Sequence, residues 1–166
     1  MTDRELLDYG EHHISYEIDM CVVSVRLLSA FWPEKNSLTN VLVEGYALHL
    51  RNLIEFIYWT PTRDDVNAVH YVRDKSQWVE ARGGVSDFLD GVKERADKQI
   101  AHLTKKRFIG DAPEKQWDPT AEITALVTGL QLFRNHARSE LVHPKVDRVI
   151  ARLAAFVEID EERNDG

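Results

Sequence analysis

Apolar side chains recur at helical spacing along most of this chain. Leu7, Ile14, Ile18, Cys21, Val25, Leu28 and Trp32 follow one another at steps of three, four and seven, which stacks them on one helix face. Thr2 with Glu5 has the capping-box spacing, so a first helix is expected from Asp3 to Phe31, ahead of the breakers Pro33 and Asn36. Ser37 is placed to cap a second helix reaching about Trp59. From Thr60 to Gly84 the periodicity fails. That stretch reads as a long connection with at most one short element, around Val66, Val69, Tyr71 and Val72. Trp78 within it is either a packing anchor or a partner contact. Ser86 opens a third helix to Arg107, with the stripe Leu89, Val92, Ala96, Ile100 and Leu103. After a loop from Phe108 to Trp117, Asp118-Pro119 has the cap-then-first-turn form that starts a fourth helix, to about Leu141. Pro144 ends it, and Val146, Val149, Ile150, Leu153, Phe156 and Val157 mark a fifth.

The pattern predicts an all-α, single-domain bundle of four long helices plus one shorter helix, with a long connection between helices two and three. The domain is expected over residues 1–157, followed by an acidic, frayed tail over 158–166.

The second helix is the most informative element. On a helical wheel, Val41 to Trp59 is apolar around most of its circumference, and Glu44, Arg51 and Glu55 share one narrow stripe. Such a helix is expected at the centre of its bundle. His49 lies on the apolar side and Asn52 at its edge, so both need partners inside the fold. Either they bond to a neighbouring helix as core groups, or they belong to a polar site between helices. Arg51 and Glu55, four apart, are spaced for an ion pair.

Composition narrows the classes. A chain of 166 residues with a mixed apolar and charged composition can bury a core unaided. The polar residues inside Val41 to Trp59 argue against a membrane span, and the acidic start, Met1 to Asp8, lacks the parts of a signal peptide, so a cytoplasmic protein is expected. Cys21 is the single cysteine, which excludes an internal disulfide and a cysteine-rich metal site. The net charge of −7 sits at the ends. Residues 1–20 hold one base against six acids and residues 158–166 one against five, leaving +2 on the body between them. Lys93 to Arg107 holds six bases against two acids, a local +4 that permits a polyanionic partner.

Within that basic run Arg95, Gln99, His102 and Lys106 share a stripe beside the apolar face. An arginine and a histidine there have the chemistry to hold a phosphate and to move a proton. The opposing reading is that cations gather at a helix C-terminus to complement its dipole.

The run Arg95-Ala-Asp-Lys-Gln-Ile-Ala-His102 resembles the Arg-to-His motif of the HEPN (higher eukaryotes and prokaryotes nucleotide-binding) domains, many of which are RNases of toxin and conflict systems. Its Ile-Ala-His ending is similar to theirs, whereas Asp97-Lys98 stands where the family often has an Arg-Asn pair. Leu48-His49-Leu50-Arg51-Asn52-Leu53-Ile54-Glu55-Phe56, with Ile100-Ala101-His102-Leu103, also resembles a group of bacterial helical proteins related to that superfamily. The resemblance implies a homodimer that binds or cleaves RNA without cofactor or metal. Arg95 and His102 would be the catalytic pair, and Gln99, Lys106, His49, Asn52 and Arg51 supporting or substrate-binding groups. A second run, Arg138 to His143, has the four-residue spacing but meets Pro144 directly.

Two other classes compete. A non-catalytic interaction or regulatory module with a cognate protein partner would use the same polar residues to organise its core. A metal-dependent bundle enzyme would draw on the seven histidines, although Glu140-Leu-Val-His143, the Glu-x-x-His spacing of di-iron bundles, has no second copy.

Overall fold

The computed structural model describes residues 1–31, 36–62, 64–98 and 117–164, with 158–164 as backbone alone. Among the described residues the chain is helical, with one isolated antiparallel bridge between Val72 and Ala137.

The first predicted helix is a continuous helical path in three parts: α1 (Asp3–Tyr9), a π-helical turn (Gly10–Ile14) and α2 (Ser15–Phe31). The expected capping box is present. The Thr2 hydroxyl accepts from the Glu5 N–H at 3.3 Å, and the Glu5 carboxylate accepts from the Thr2 N–H at 2.6 Å. α3 spans Ser37–Tyr58, but its cap is Asn36 and not Ser37: Asn36 Oδ1 accepts from the Thr39 N–H at 3.0 Å.

The 60–84 connection contains more than the one short element expected of it. A 3-10 turn at Ala68–His70 is followed by α4 (Lys75–Arg82), which Asp74 caps by accepting from the Gln77 N–H at 2.9 Å. Gly83, at φ 61°, ends α4 in a conformation that side-chain-bearing residues rarely adopt. Trp78 is the buried residue of α4, and it packs edge-on to Phe133 at 6.3 Å between centroids and beside His136 at 5.8 Å. Phe56 and Tyr71 meet the same Phe133 ring at 5.1 and 5.8 Å, so one aromatic cluster pins this segment to α3 and to the helix bearing Phe133. The anchor reading of Trp78 is therefore the one its surroundings match.

α5 (Asp87–Ala96) starts at Ser86, whose hydroxyl accepts from the Leu89 N–H at 3.2 Å. From residue 99 the expected continuation to Arg107, and the loop up to residue 116, lie outside the described residues. α6 (Pro119–His136) opens as the sequence implies: Asp118 accepts from the Ala121 N–H at 3.0 Å, and proline occupies the first turn. It stops at His136, short of the expected Leu141. The cause is tertiary, because Ala137 is extended to bridge Val72 and the Arg138 N–H donates to the Tyr71 carbonyl at 2.8 Å. A 3-10 turn at Ser139–Leu141 leads to α7 (Pro144–Asn164), whose helical backbone enters the acidic end as far as Asn164.

α3 packs against α2, α5 and α6, while α7 closes against α2 and α6, and α4 lies on α6. The central position that the apolar circumference of α3 predicts is thus observed. Its coverage is incomplete, however, since Leu38, Val41 and Leu48 remain exposed.

Candidate functional site

Of the predicted site residues, Arg95, His49, Asn52 and Arg51 lie among the described residues, on the surfaces where α2, α5 and α6 pack around α3. Arg95, in the last turn of α5, reaches Glu122 in the first turns of α6, with Nη1 3.4 Å from Oε1, and its guanidinium lies over the Trp117 ring at 4.9 Å. Glu122 is almost wholly buried, at 1% exposure. Its other oxygen accepts from the Tyr46 hydroxyl of α3 at 2.9 Å, and Oε1 also accepts from the Asp118 N–H at 3.3 Å. Burial raises the Glu122 carboxyl to about 7, against the opposing pull of Tyr46, Arg95 and the Asp118 N–H. One carboxylate thus ties α3, α5 and α6 together and is poised to titrate near neutrality.

The second cluster joins α2 to α3. His49 is buried, with Nδ1 2.8 Å from Glu17 Oε2, and the Asn52 amide donates to the same oxygen at 3.1 Å. A carboxylate only accepts, so Nδ1 carries the hydrogen. Tyr16 closes the group edge-on to the His49 ring at 5.6 Å. His49 and Asn52 are therefore brought together, as the sequence suggests, and their shared partner is Glu17. Cys21, one turn beyond Glu17 on α2, is wholly buried, and burial together with the Glu122 and Glu17 charges pushes its thiol far above the ordinary range. A thiol held in that form is a packing group, not a nucleophile.

A third cluster surrounds Arg51. It bonds Glu55 at 3.0 Å, the ion pair its spacing implies, and also Asp97 of the α5 C-terminus. Lys93 completes the group with Glu55 at 3.2 Å and Asp97 at 2.7 Å, and lies over Trp59 at 4.9 Å. Burial alone would lower the Lys93 ammonium and raise the Asp97 carboxyl, but their mutual bonds outweigh it, so Lys93 is raised and Asp97 lowered. Lys98 pairs with Glu94. Each cation from 93 to 98 thus has an acid partner within the chain.

Gln99, His102 and Lys106 lie outside the described residues, and with them the 105–107 cations. In the alternative run, Arg138 is paired with Asp3 at 3.0 Å, while His143 stands at the break before α7 with Nε2 3.7 Å from Glu11. No group of three His, Cys, Asp or Glu side chains among the described residues has the spacing to hold a metal ion. No described helix is long and apolar enough to cross a membrane. Comparison with protein-family models, curated proteins and solved structures found no match.

Sequence reasoning missed Glu122. The signal was present, since Glu122 shares a helical stripe with Leu126, Gly129, Leu130 and Phe133, all buried. A carboxylate in that register must be paired or protonated.

Proposed function

We propose that this chain is a helical interaction module in which Arg95, Arg51, His49 and Asn52 organise the packing of α2, α5 and α6 around α3. What supports the reading is the Arg95–Glu122–Tyr46 arrangement. The arginine that sequence alone marks for phosphate binding has its guanidinium engaged by a buried carboxylate and an aromatic ring. An arginine that must leave a buried carboxylate in order to meet phosphate forfeits that pairing, and the carboxylate must then protonate. Thermal unfolding of Arg95→Ala beside an RNA-binding titration tests the reading, which expects lower stability and unchanged RNA affinity.

The second reading, a HEPN-like homodimer that binds or cleaves RNA in a bacterial conflict, toxin-antitoxin or stress context, is favoured by one observation. Lys105, Lys106 and Arg107 follow His102 with no acid among them. In that account His102 is the general acid or base at the 2′-hydroxyl and Arg95 neutralises the scissile phosphate, without a metal ion. Gln99 and Lys106 then line the RNA beside them. Labelled RNA incubated with the protein in EDTA tests it. Loss of cleavage in His102→Ala supports cleavage by this residue, and undiminished cleavage in that variant removes it.

A further inference from the structure

A polar cleft of about 640 Å³ lies where α4 meets the end of α6. The Val72–Ala137 bridge that stops α6 also holds the approach to α4 against it, so Arg73, Asp74 and Gln77 form one wall and Arg134, Asn135 and His136 the other. The volume falls in the range of small-molecule sites. Glu122 and the Arg95 cluster stand at the opposite end of α6, twelve residues or about 18 Å from Arg134.

The clusters around Glu122, Glu17 and Arg51 are tied up between helices, whereas the side chains of this cleft keep hydrogen-bonding capacity to spare. Those of Gln77, Asn135 and His136 make no hydrogen bond to another described residue. His136 is instead held by its ring contact with the buried Trp78. Arg73 stands 3.8 Å from Glu140, too far for a hydrogen bond. Arg134 gives Nε and Nη2 to the two oxygens of Asp147 at 2.5 and 3.3 Å, which fixes the plane of its guanidinium and leaves Nη1 over. Asp74 spends Oδ1 on the Gln77 N–H and keeps Oδ2.

We infer that the cleft binds a small zwitterion, an α-amino acid or a dipeptide, with its carboxylate on Arg73 and Arg134 and its ammonium on Asp74. The charges favour a ligand that carries both signs. Two guanidiniums share the lining with one carboxylate, and two further acids, Glu140 and Asp147, stand beside the guanidiniums. A neutral zwitterion finds a partner for each of its ends there, while a polyphosphate or a dicarboxylate meets three acids close by. The amides of Gln77 and Asn135 each offer a donor and an acceptor, which suits the amide or peptide group of such a ligand. The inference goes beyond the interaction-module reading and does not depend on it.

Isothermal titration of the full chain with L-alanine, L-glutamine and glycyl-L-glutamine tests it, beside acetate, inorganic phosphate and N-acetyl-L-alanine, which lacks the ammonium. One-site binding is expected for the zwitterions, and binding at least about tenfold weaker for the other three. Arg73→Ala is expected to weaken the zwitterions about tenfold and to leave the melting temperature unchanged, since the side chain is 75% exposed. Asp74→Asn keeps a helix-capping oxygen and is expected to weaken the zwitterions by a similar factor without affecting N-acetyl-L-alanine. Three results each overturn the proposal: no binding of any zwitterion up to about 10 mM, binding of phosphate or acetate as tight as theirs, or zwitterion affinity unchanged in both variants. Neither RNA nor Arg95 enters the measurement, so its failure is distinct from failure of the module reading.

Discussion

The Tyr46 hydroxyl donates to Glu122 Oε2 at 2.9 Å, and neither side chain reaches solvent. This bond links the central helix to α6 at a carboxyl group that also receives Arg95. Tyr46→Phe removes the donor and keeps the ring. The expected loss is about 1–2 kcal/mol, because a buried acceptor gives up one bond without regaining water. Urea unfolding at pH 7 measures it, and an unchanged midpoint would show that the bond contributes nothing.

Glu122 gives stability a pH dependence with a definite sign. Its folded value of about 7 lies above the ordinary 4.5, so between those limits the folded protein holds a proton that the unfolded chain releases. The contribution is therefore fully present below about pH 4.5 and lost as pH rises through 7, at up to about 1.4 kcal/mol per pH unit. Glu122→Gln cannot titrate. The stability of wild type relative to Glu122→Gln is expected to fall across this window, and parallel curves from pH 4.5 to 8 would contradict the assignment.

Arg95 acts through the same group. Its charge holds the Glu122 carboxyl lower than burial alone would, so Arg95→Ala lifts that carboxyl further. At pH 5 the carboxyl is neutral with or without the arginine, and the substitution mainly loses the contact with Trp117. At pH 8.5 it leaves a buried charge unpaired or forces protonation, so the destabilisation is expected to be larger by about 1–3 kcal/mol. Arg95→Lys should recover part of that difference. Equal losses at the two pH values would mean that the pair is not coupled.

Glu17 is the shared acceptor for His49 and Asn52. Glu17→Ala strands two donors at the α2–α3 seam and is expected to lower stability by about 1–3 kcal/mol, whereas Glu17→Gln keeps an acceptor oxygen and should lose less. Calorimetric melting of the two variants checks the order.

What the sequence makes legible follows from how far each signal reaches. Caps are local chemistry, so Thr2 with Glu5, Ser86, and Asp118 with Pro119 mark their helices directly. The central role of α3 is also readable, because an apolar circumference is a property of one segment. α4 is not, since of its eight residues only Trp78 is buried, which leaves no periodic stripe. The stop of α6 at His136 depends on Ala137 meeting Val72, a contact across sixty-five residues of sequence. The polar clusters divide in the same way. The Arg51–Glu55 pair is written into its spacing, while the partners of His49 and Arg95 come from other helices and emerge only with packing. The face of α3 that reads as core in the sequence but stands in solvent shows the same limit, because periodicity says that a face is apolar without saying what covers it.

In the proposed module Arg95 and its neighbours hold helices in place and do not react. Its most direct test incubates labelled RNA with wild type, Arg95→Ala and His102→Ala in EDTA, each protein matched for folded fraction. None of the three proteins is expected to cleave, with Arg95→Ala set apart only by its lower stability. Cleavage by wild type that disappears in Arg95→Ala or His102→Ala, while the fold remains intact, would contradict it.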